Sequence, residues 1–589
     1  MLVGIPSIGT LSPTQRFKRD VPMHDLLIKG GTLVDGTGDA PQTGDVAITD
    51  GVITEVGQIG ESAKRIVDAD GLLLTPGFVD IHTHYDGQAT WDEYLTPSSW
   101  HGVTTAVFGN CSVGFAPVHP DQTDYLINLM EGVEDIPGTV LSEGVSFNWQ
   151  SFPEYLDALA AKPRVMDVGA QMPHAALRFY VMGERGADHE EIPTDQEIEH
   201  MGALLEESLH AGALGFTTSR TTKHRAADGR VTPSLSAGEK ELLGLAAAMK
   251  RAGKGVIEVN SDFGAGEFEA LRAAAKLSGR PLTCLIVQVR NAPELWRETM
   301  ANVREARDAG INCNSQVHVR GIGMVMGLET TLNPFLNHPA WKTLSHLSPE
   351  SRATQLCQDA ALQNRLTSEI PTDRHTQWIE SLFDEIYVLD ENMNYEPDSE
   401  TDSLSVHARA QDKTPWRLLL EWLMRDNGQG HVMYPFENYY GGNLDAIREM
   451  LTDEASVIGV ADGGAHVGVI CDAASPTFML THWARDRRRG PGLPLEFLVH
   501  KHTRGNALAY GLGDRGVLAP GYKADINIID FNNLRIKPPK VLYDLPAGGR
   551  RLVQEAEGYR HIFVSGTETL QNDTFTGELP GVLVRGART

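Results

Sequence analysis

Two histidines one residue apart, His82 and His84, end an apolar run in Thr75-Pro-Gly-Phe-Val-Asp-Ile-His-Thr-His-Tyr-Asp86. Residues two apart on a strand project from the same face, so both imidazoles converge on one point. Neutral imidazole is the commonest nitrogen ligand for zinc, which makes a metal ion the natural object of the pair. An isolated His-x-His is as often two residues on an exposed strand end. Two further residues bear on the choice. Cys111, in Gly109-Asn-Cys, brings a thiol just past another apolar run, and Asp462 is the first polar side chain after the run 457–461. An aspartate so placed can ligate a metal and take a proton from the water that the metal activates. Taken singly, Cys111 reads as a small buried residue and Asp462 as a turn residue.

For these side chains to meet, the runs that carry them must lie side by side. Eight runs qualify as strands: 79–81, 104–108, 165–168, 214–217, 255–259, 282–287, 312–317 and 457–461. Helical patterns such as 239–251, 267–277 and 295–309 separate them, which indicates βα units and a parallel sheet. The count predicts an α/β fold, a (β/α)8 TIM barrel over 76–512, with its site at the C-terminal strand ends. The seventh connection is too long for a loop. Its helical stretches at 349–364 and 414–426 predict a lid inserted at about 325–450. Short strands with Asp50-Gly51 and Asp70-Gly71 turns fill 23–75, and a second strand-rich block fills 513–589. Neither block is large enough to stand alone, so both termini are expected to build one small β-sandwich domain. Residues 1–22 carry no pattern and are expected to form a disordered extension.

With 41% hydrophobic and 22% charged residues, the 589-residue chain has an ordinary globular balance. Its formal charge of −27 argues against nucleic acid and anionic membranes as partners. The one basic knot, Arg485-Asp-Arg-Arg-Arg489, reads as a solvated helix end. Five scattered cysteines form no disulfide framework and suit a reducing cytosol, so a cytoplasmic location is expected. No run reaches membrane-spanning length, and the first residues lack the pattern of a signal peptide. Composition leaves a homo-oligomer open.

The ordered set Asp25-Leu-Leu-Ile-Lys-Gly-Gly, Pro76-Gly-Phe-Val-Asp-Ile-His-Thr-His, Gly109-Asn-Cys, Asp462-Gly-Gly-Ala-His and Arg515-Gly-Val-Leu-Ala-Pro-Gly-Tyr-Lys-Ala-Asp525 resembles the amidohydrolase superfamily. Within it the chain looks like the N-acyl-D-amino-acid deacylase (D-aminoacylase) branch, with Gly-Asn-Cys as the more telling mark. The resemblance implies hydrolysis of a C–N amide bond on a metal-dependent barrel, with His82, His84 and Cys111 as ligands and Asp462 as general base. It also implies departures. In that branch strands five and six each end in a histidine ligand, whereas Asn260 and Gln288 stand here, and both are weak zinc ligands. Gly215-Phe-Thr-Thr-Ser219 fills the place of a strand-four lysine that relatives carboxylate.

Three accounts follow. One metal, zinc by preference, is held by His82, His84 and Asp462 with Cys111; other histidines such as His224 or His318 are recruited; or metal and hydrolysis are lost. The first is favoured, because buried polar groups that converge without purpose are costly. His318 is further expected to help stabilise the oxyanion. Arg220, Lys223, His224, Arg290 and Arg320 lie beyond strands four, six and seven, where ordinary loop residues are the plain alternative. Together with Asn260 and Gln288 they are candidates for substrate contact. Arg220 or Arg290 would suit the carboxylate of a small-molecule substrate such as an N-acyl-D-amino acid. Rival readings are a cyclic amide, imide or dipeptide hydrolase and a catalytically silent ligand-binding barrel.

Overall fold

The computed structural model describes residues 23–60 and 62–586, so the expectation for 1–22 lies outside the described residues. Eight parallel strands carry the loops of interest: β1 Phe78–Asp80, β2 Val103–Phe108, β3 Asp167–Ala170, β4 Gly215–Arg220, β5 Val256–Ser261, β6 Leu282–Ile286, β7 Cys313–Val317 and β8 Ser456–Ile458. Each falls within a few residues of the run that predicts it. β1, β2 and β3 form one parallel sheet. Past Gln171 the chain re-enters as Met172–Pro173 and begins the second, which runs β4, β5, β6, β7, β8. At the far edges, Asn506 Nδ2 donates to the carbonyls of Val79 and Ile458, both at 2.7 Å, and so spans β1 and β8. At the same side of the molecule the Asp462 N–H donates to His82 O at 3.2 Å and the His84 N–H to Gly463 O at 2.8 Å.

Both ends of the chain share another sheet. Ile526–Ile529 pairs antiparallel with Leu73–Pro76, placing Ile526 opposite Pro76 and Ile529 opposite Leu73. Alternating apolar residues give this nine-stranded sheet a buried face, where Leu26, Ile28, Val46, Ile48, Leu74, Ile526, Ile528 and Phe563 pack together. One of its ties to the parallel strands is ionic, made by residues just before Ile526. Asp167 at the start of β3 is fully buried and takes Arg515 Nη1 at 2.6 Å, with Lys523 Nζ at 3.0 Å.

The long connection between β7 and β8 is more than helices. It contains a three-stranded antiparallel sheet, Ile322–Gly327, His431–Glu437 and Tyr387–Leu389, which the sequence reading lacked. Helices such as Pro349–Gln358, Ala360–Ser368 and Pro415–Leu423 pack beside it around Trp341, Leu366, Trp416, Leu420 and Trp422. Among the described residues no helix is long and apolar enough to cross a membrane.

Candidate metal centre

The loops after β1, β2 and β8 meet over the strand ends. Ligand atoms of His82, His84 and Cys111, all buried, lie within 4.8 Å of one another. His82 Nε2 stands 3.4 Å from Cys111 Sγ, and Asp462 Oδ1 is 3.6 Å from the Nε2 atoms of both histidines. Geometry fixes the working face of His82. Its Nδ1 faces Gln316 Oε1 at 2.8 Å, an acceptor, so Nδ1 carries the proton and Nε2 presents a lone pair to the cluster.

Backbone strain collects at this point. Cys111 (φ 55°), Ser112 (69°), Val460 (64°), Asp462 (49°) and His466 (49°) all adopt left-handed conformations, and for β-branched Val460 that is a true outlier. Such strain persists where the surroundings over-determine it, commonly at functional sites. The Gly-Asn-Cys turn shows how. A Cβ on Gly109 would fall 2.3 Å from Gln171 O, and Asn110 Nδ2 donates to the carbonyls of Thr83 and Val107, both at 3.1 Å. In the β8 loop, a Cβ on Gly464 would sit 2.8 Å from His84 O, so the loop crosses directly over the β1 exit.

Carboxylates surround the cluster. Glu134, the last residue of the helix Thr123–Glu134, lies with Oε1 3.3 Å from His84 Nδ1 and Oε2 3.6 Å from His466 Nε2. Glu258 on β5 accepts the Cys111 N–H at 3.3 Å and has Oε1 3.8 Å from His82 Nδ1. Burial pushes Glu258 up to about 8 and Asp80 to about 7. Burial also drives His82 down to about 4. It works against the charged form of His84 as well, yet Glu134 and Asp462 outweigh it and raise that imidazole to about 9. Asp462 is likewise opposed by burial but held below the ordinary carboxylate range by its two histidines. Cys111 is raised well above its ordinary value by burial and by Glu258.

These residues fit a divalent metal. Asp80 Oδ2, Glu258 Oε1 and Asp462 Oδ1 are buried carboxylate atoms with no hydrogen-bond partner, a density of orphans that folded proteins rarely tolerate. Two imidazoles, a thiol and an aspartate form a donor set suited to zinc and its neighbours.

The other candidate residues separate into groups. His224 and Asn260 reach the edge of the cluster: Asn260 Nδ2 is 3.6 Å from Cys111 Sγ and 3.3 Å from His224 Nε2. Gln288 turns away, its Oε1 taking the Tyr440 N–H at 3.1 Å and its N–H bonding Asn438 Oδ1 at 2.6 Å. Arg220 is not free for a carboxylate, because it is bonded to Glu267 and to the carbonyls of Ala237 and Ser234. Arg290 pairs with Glu385 and Lys223 with Glu437, both partly exposed latches to the inserted segment. Arg320 is buried on Asp472 at 2.9 Å, with its guanidinium 4.0 Å from the Tyr395 ring centre. His318 is also recast. Its Nδ1 donates to Val460 O at 2.6 Å and burial keeps the ring neutral, so Nε2 is an acceptor and cannot donate to an oxyanion. That Nε2 has no hydrogen-bond partner and faces Asp472 Oδ2 at 3.7 Å.

Glu134, Glu258, Gln316, His466 and Asp472 escaped the sequence reading as site residues. Glu258 had a readable signal, being a carboxylate inside an apolar strand and two residues before Asn260, hence on the same face. Glu134 had none, since only the packing of its helix end brings it to His84.

The chain matches the amidohydrolase family over residues 65–369 and 407–569, and it belongs to that family. Within the family its similarity runs to the D-aminoacylase branch. A D-aminoacylase of Alcaligenes xylosoxydans xylosoxydans is 35% identical over 200 residues, 34% of this chain and 38% of the relative. An uncharacterized protein of Mycobacterium tuberculosis is 28% identical over 559 residues, covering 87% of this chain and 85% of the relative. Among solved structures, D-aminoacylase superposes with TM-score 0.63 at 23% identity over 95% of this chain and 100% of that one. The N-acyl-D-glutamate deacylase of Bordetella bronchiseptica, solved with zinc and a phosphonate inhibitor, gives 0.63 at 22% over 96% and 100%. The mixed α/β fold is thus that of D-aminoacylase, of the TIM-barrel type, and the protein is a hydrolase of C–N bonds other than ordinary peptide bonds.

Proposed function

We propose that the protein removes the acyl group from an N-acyl-D-amino acid, using one divalent metal, zinc by preference, held by His82, His84 and Cys111 with Asp462 beside them. The observation that carries this reading is the convergence of those four side chains at the ends of β1, β2 and β8. The similarity to D-aminoacylase supports the substrate class. On this reading the parallel strands close into an eight-stranded barrel over 76–512. The two terminal blocks (23–75 and 513–586 of the described residues) form the sandwich, and the inserted segment at about 325–450 is a lid.

A bound divalent cation supplies Lewis acidity and makes a water molecule acidic enough to attack at neutral pH. The remaining work falls to the chain. Asp462, ionised and aimed at the cluster, takes the proton of the attacking water as its oxygen adds to the amide carbonyl carbon. When the C–N bond breaks, Asp462 returns that proton to the leaving nitrogen, giving a free amine and a carboxylic acid, which releases the second water proton to solvent as it ionises. Gln316 and Glu134 hold the two imidazoles in register from behind.

The test joins metal analysis to a substrate panel. Purified protein should contain about one equivalent of zinc, manganese or iron and should hydrolyse N-acyl-D-amino acids in preference to their L forms, hydantoins and dipeptides. Absence of any stoichiometric metal, or hydrolysis confined to the cyclic substrates, defeats the reading.

A further inference from the structure

Two groups near the end of β5, Glu258 and Asn260, bear on Cys111. Glu258 accepts the Cys111 N–H at 3.3 Å; Asn260, two residues on, directs Nδ2 at Cys111 Sγ at 3.6 Å. Behind Asn260 stands a file of further groups. Its other Nδ2 hydrogen meets His224 Nε2 at 3.3 Å, and His224 Nδ1 meets Ser219 Oγ at 2.9 Å. The polarity is consistent throughout. Because the amide donates to Nε2, the imidazole proton sits on Nδ1 and is donated to Ser219. Register explains the placement, since Ser219 on β4 lies directly opposite Asn260 on β5 in their parallel ladder.

We infer that β5 acts on the metal centre by holding the cysteine rather than by binding the metal: Ser219, His224 and Asn260 form a hydrogen-bonded file that fixes the Cys111 sulfur, while Glu258 fixes its backbone. The need for such a clamp is visible in the chain. Cys111 and Ser112 are consecutive non-glycine residues at φ 55° and 69°, a conformation each would leave if unsupported. A side chain that donates to a thiolate also withdraws charge from it, as outer groups commonly tune a ligand. Asn260, His224 and Ser219 are therefore positioning residues.

The inference rests on the metal reading above, and cobalt(II) substitution separates the two. Cobalt-loaded wild-type protein should display a thiolate-to-cobalt charge-transfer band that Cys111→Ser removes. Asn260→Leu, of similar volume but without a donor, should move that band to lower energy and weaken metal binding at least about tenfold in a chelator competition. His224→Ala should produce a smaller change in the same direction, and it carries the test should Asn260→Leu not fold. An unchanged band and affinity in Asn260→Leu, with cobalt bound, overturns the clamp alone. A wild-type protein that takes up no cobalt overturns the metal reading and the clamp with it.

Discussion

Asp462→Asn isolates the proton acceptor from everything else in the site. Asparagine matches aspartate in size, and like aspartate it is enriched in the left-handed region, so φ 49° should persist. The bonds that place the residue are main-chain bonds, Asp462 N–H to His82 O at 3.2 Å and Ala465 N–H to Asp462 O at 3.0 Å, and neither depends on the side chain. Three other donors, His82, His84 and Cys111, stay within 4.8 Å of one another, so most of the metal should remain. What disappears is a carboxylate that its two histidines keep ionised although most of it is buried. A well-placed general base contributes a factor of about 10² to 10⁴ in rate. At ~1.36 kcal/mol per tenfold, that is about 3 to 5 kcal/mol of barrier. The assay is kcat on the best N-acyl-D-amino acid, paired with metal content and thermal midpoint of the same preparation. A fall in kcat of two orders of magnitude or more with metal retained is expected. Metal-loaded Asp462→Asn that keeps kcat within tenfold of wild type would refute the proton-transfer role.

Other consequences are open to direct measurement. Asp167→Asn takes from buried Arg515 and half-buried Lys523 the carboxylate they share, leaving Asp514 and Asp525 as their remaining partners, and should lower stability by about 3 kcal/mol in denaturant unfolding; a change under 1 kcal/mol would contradict the weld between β3 and the terminal segment. Arg290→Ala should leave KM near wild type, because Arg290 is exposed and latched to Glu385, a pair contributing about 0 to 1 kcal/mol. A KM raised tenfold would restore the substrate-anchor role. Glu396 is opposed by burial but lowered from 4.5 to about 2 by His482 and Arg487. A folded value below the unfolded one means its contribution is complete above about 4.5 and fades as pH falls toward about 2. The stability gap between wild type and Glu396→Gln should therefore close over that window; a gap independent of pH would exclude the linkage.

Much of the frame can be read from the sequence because its signals are local. The eight apolar runs, the same-face spacing of His82 and His84, and the glycines that let loops cross all act within a few residues. Patterning in the long β7–β8 connection announces helices, yet its three-stranded sheet pairs residues near 433 with residues near 325 on one side and near 388 on the other, and no local period reports such pairing. The arginines proposed as substrate anchors meet other partners for a related reason. Arg220 ends β4 and Arg290 lies in the loop after β6, but Glu267 and Glu385, distant in sequence, already engage them.

The metal cluster divides in the same way. By itself the sequence determines that His82 and His84 point together, that a thiol follows the second strand and an aspartate the eighth, since each is a matter of strand period and run boundary. Tertiary structure alone decides that Glu134 arrives behind His84 at the end of a helix. It also decides that Gln316 sets the His82 tautomer, that His318 presents a lone pair, and that Asn260 addresses the Cys111 sulfur. Those contacts span from about fifty to more than two hundred residues of chain. They exist because parallel register and loop packing fix which strand ends stand side by side, and a side chain's protonation and role follow from the neighbour it meets there.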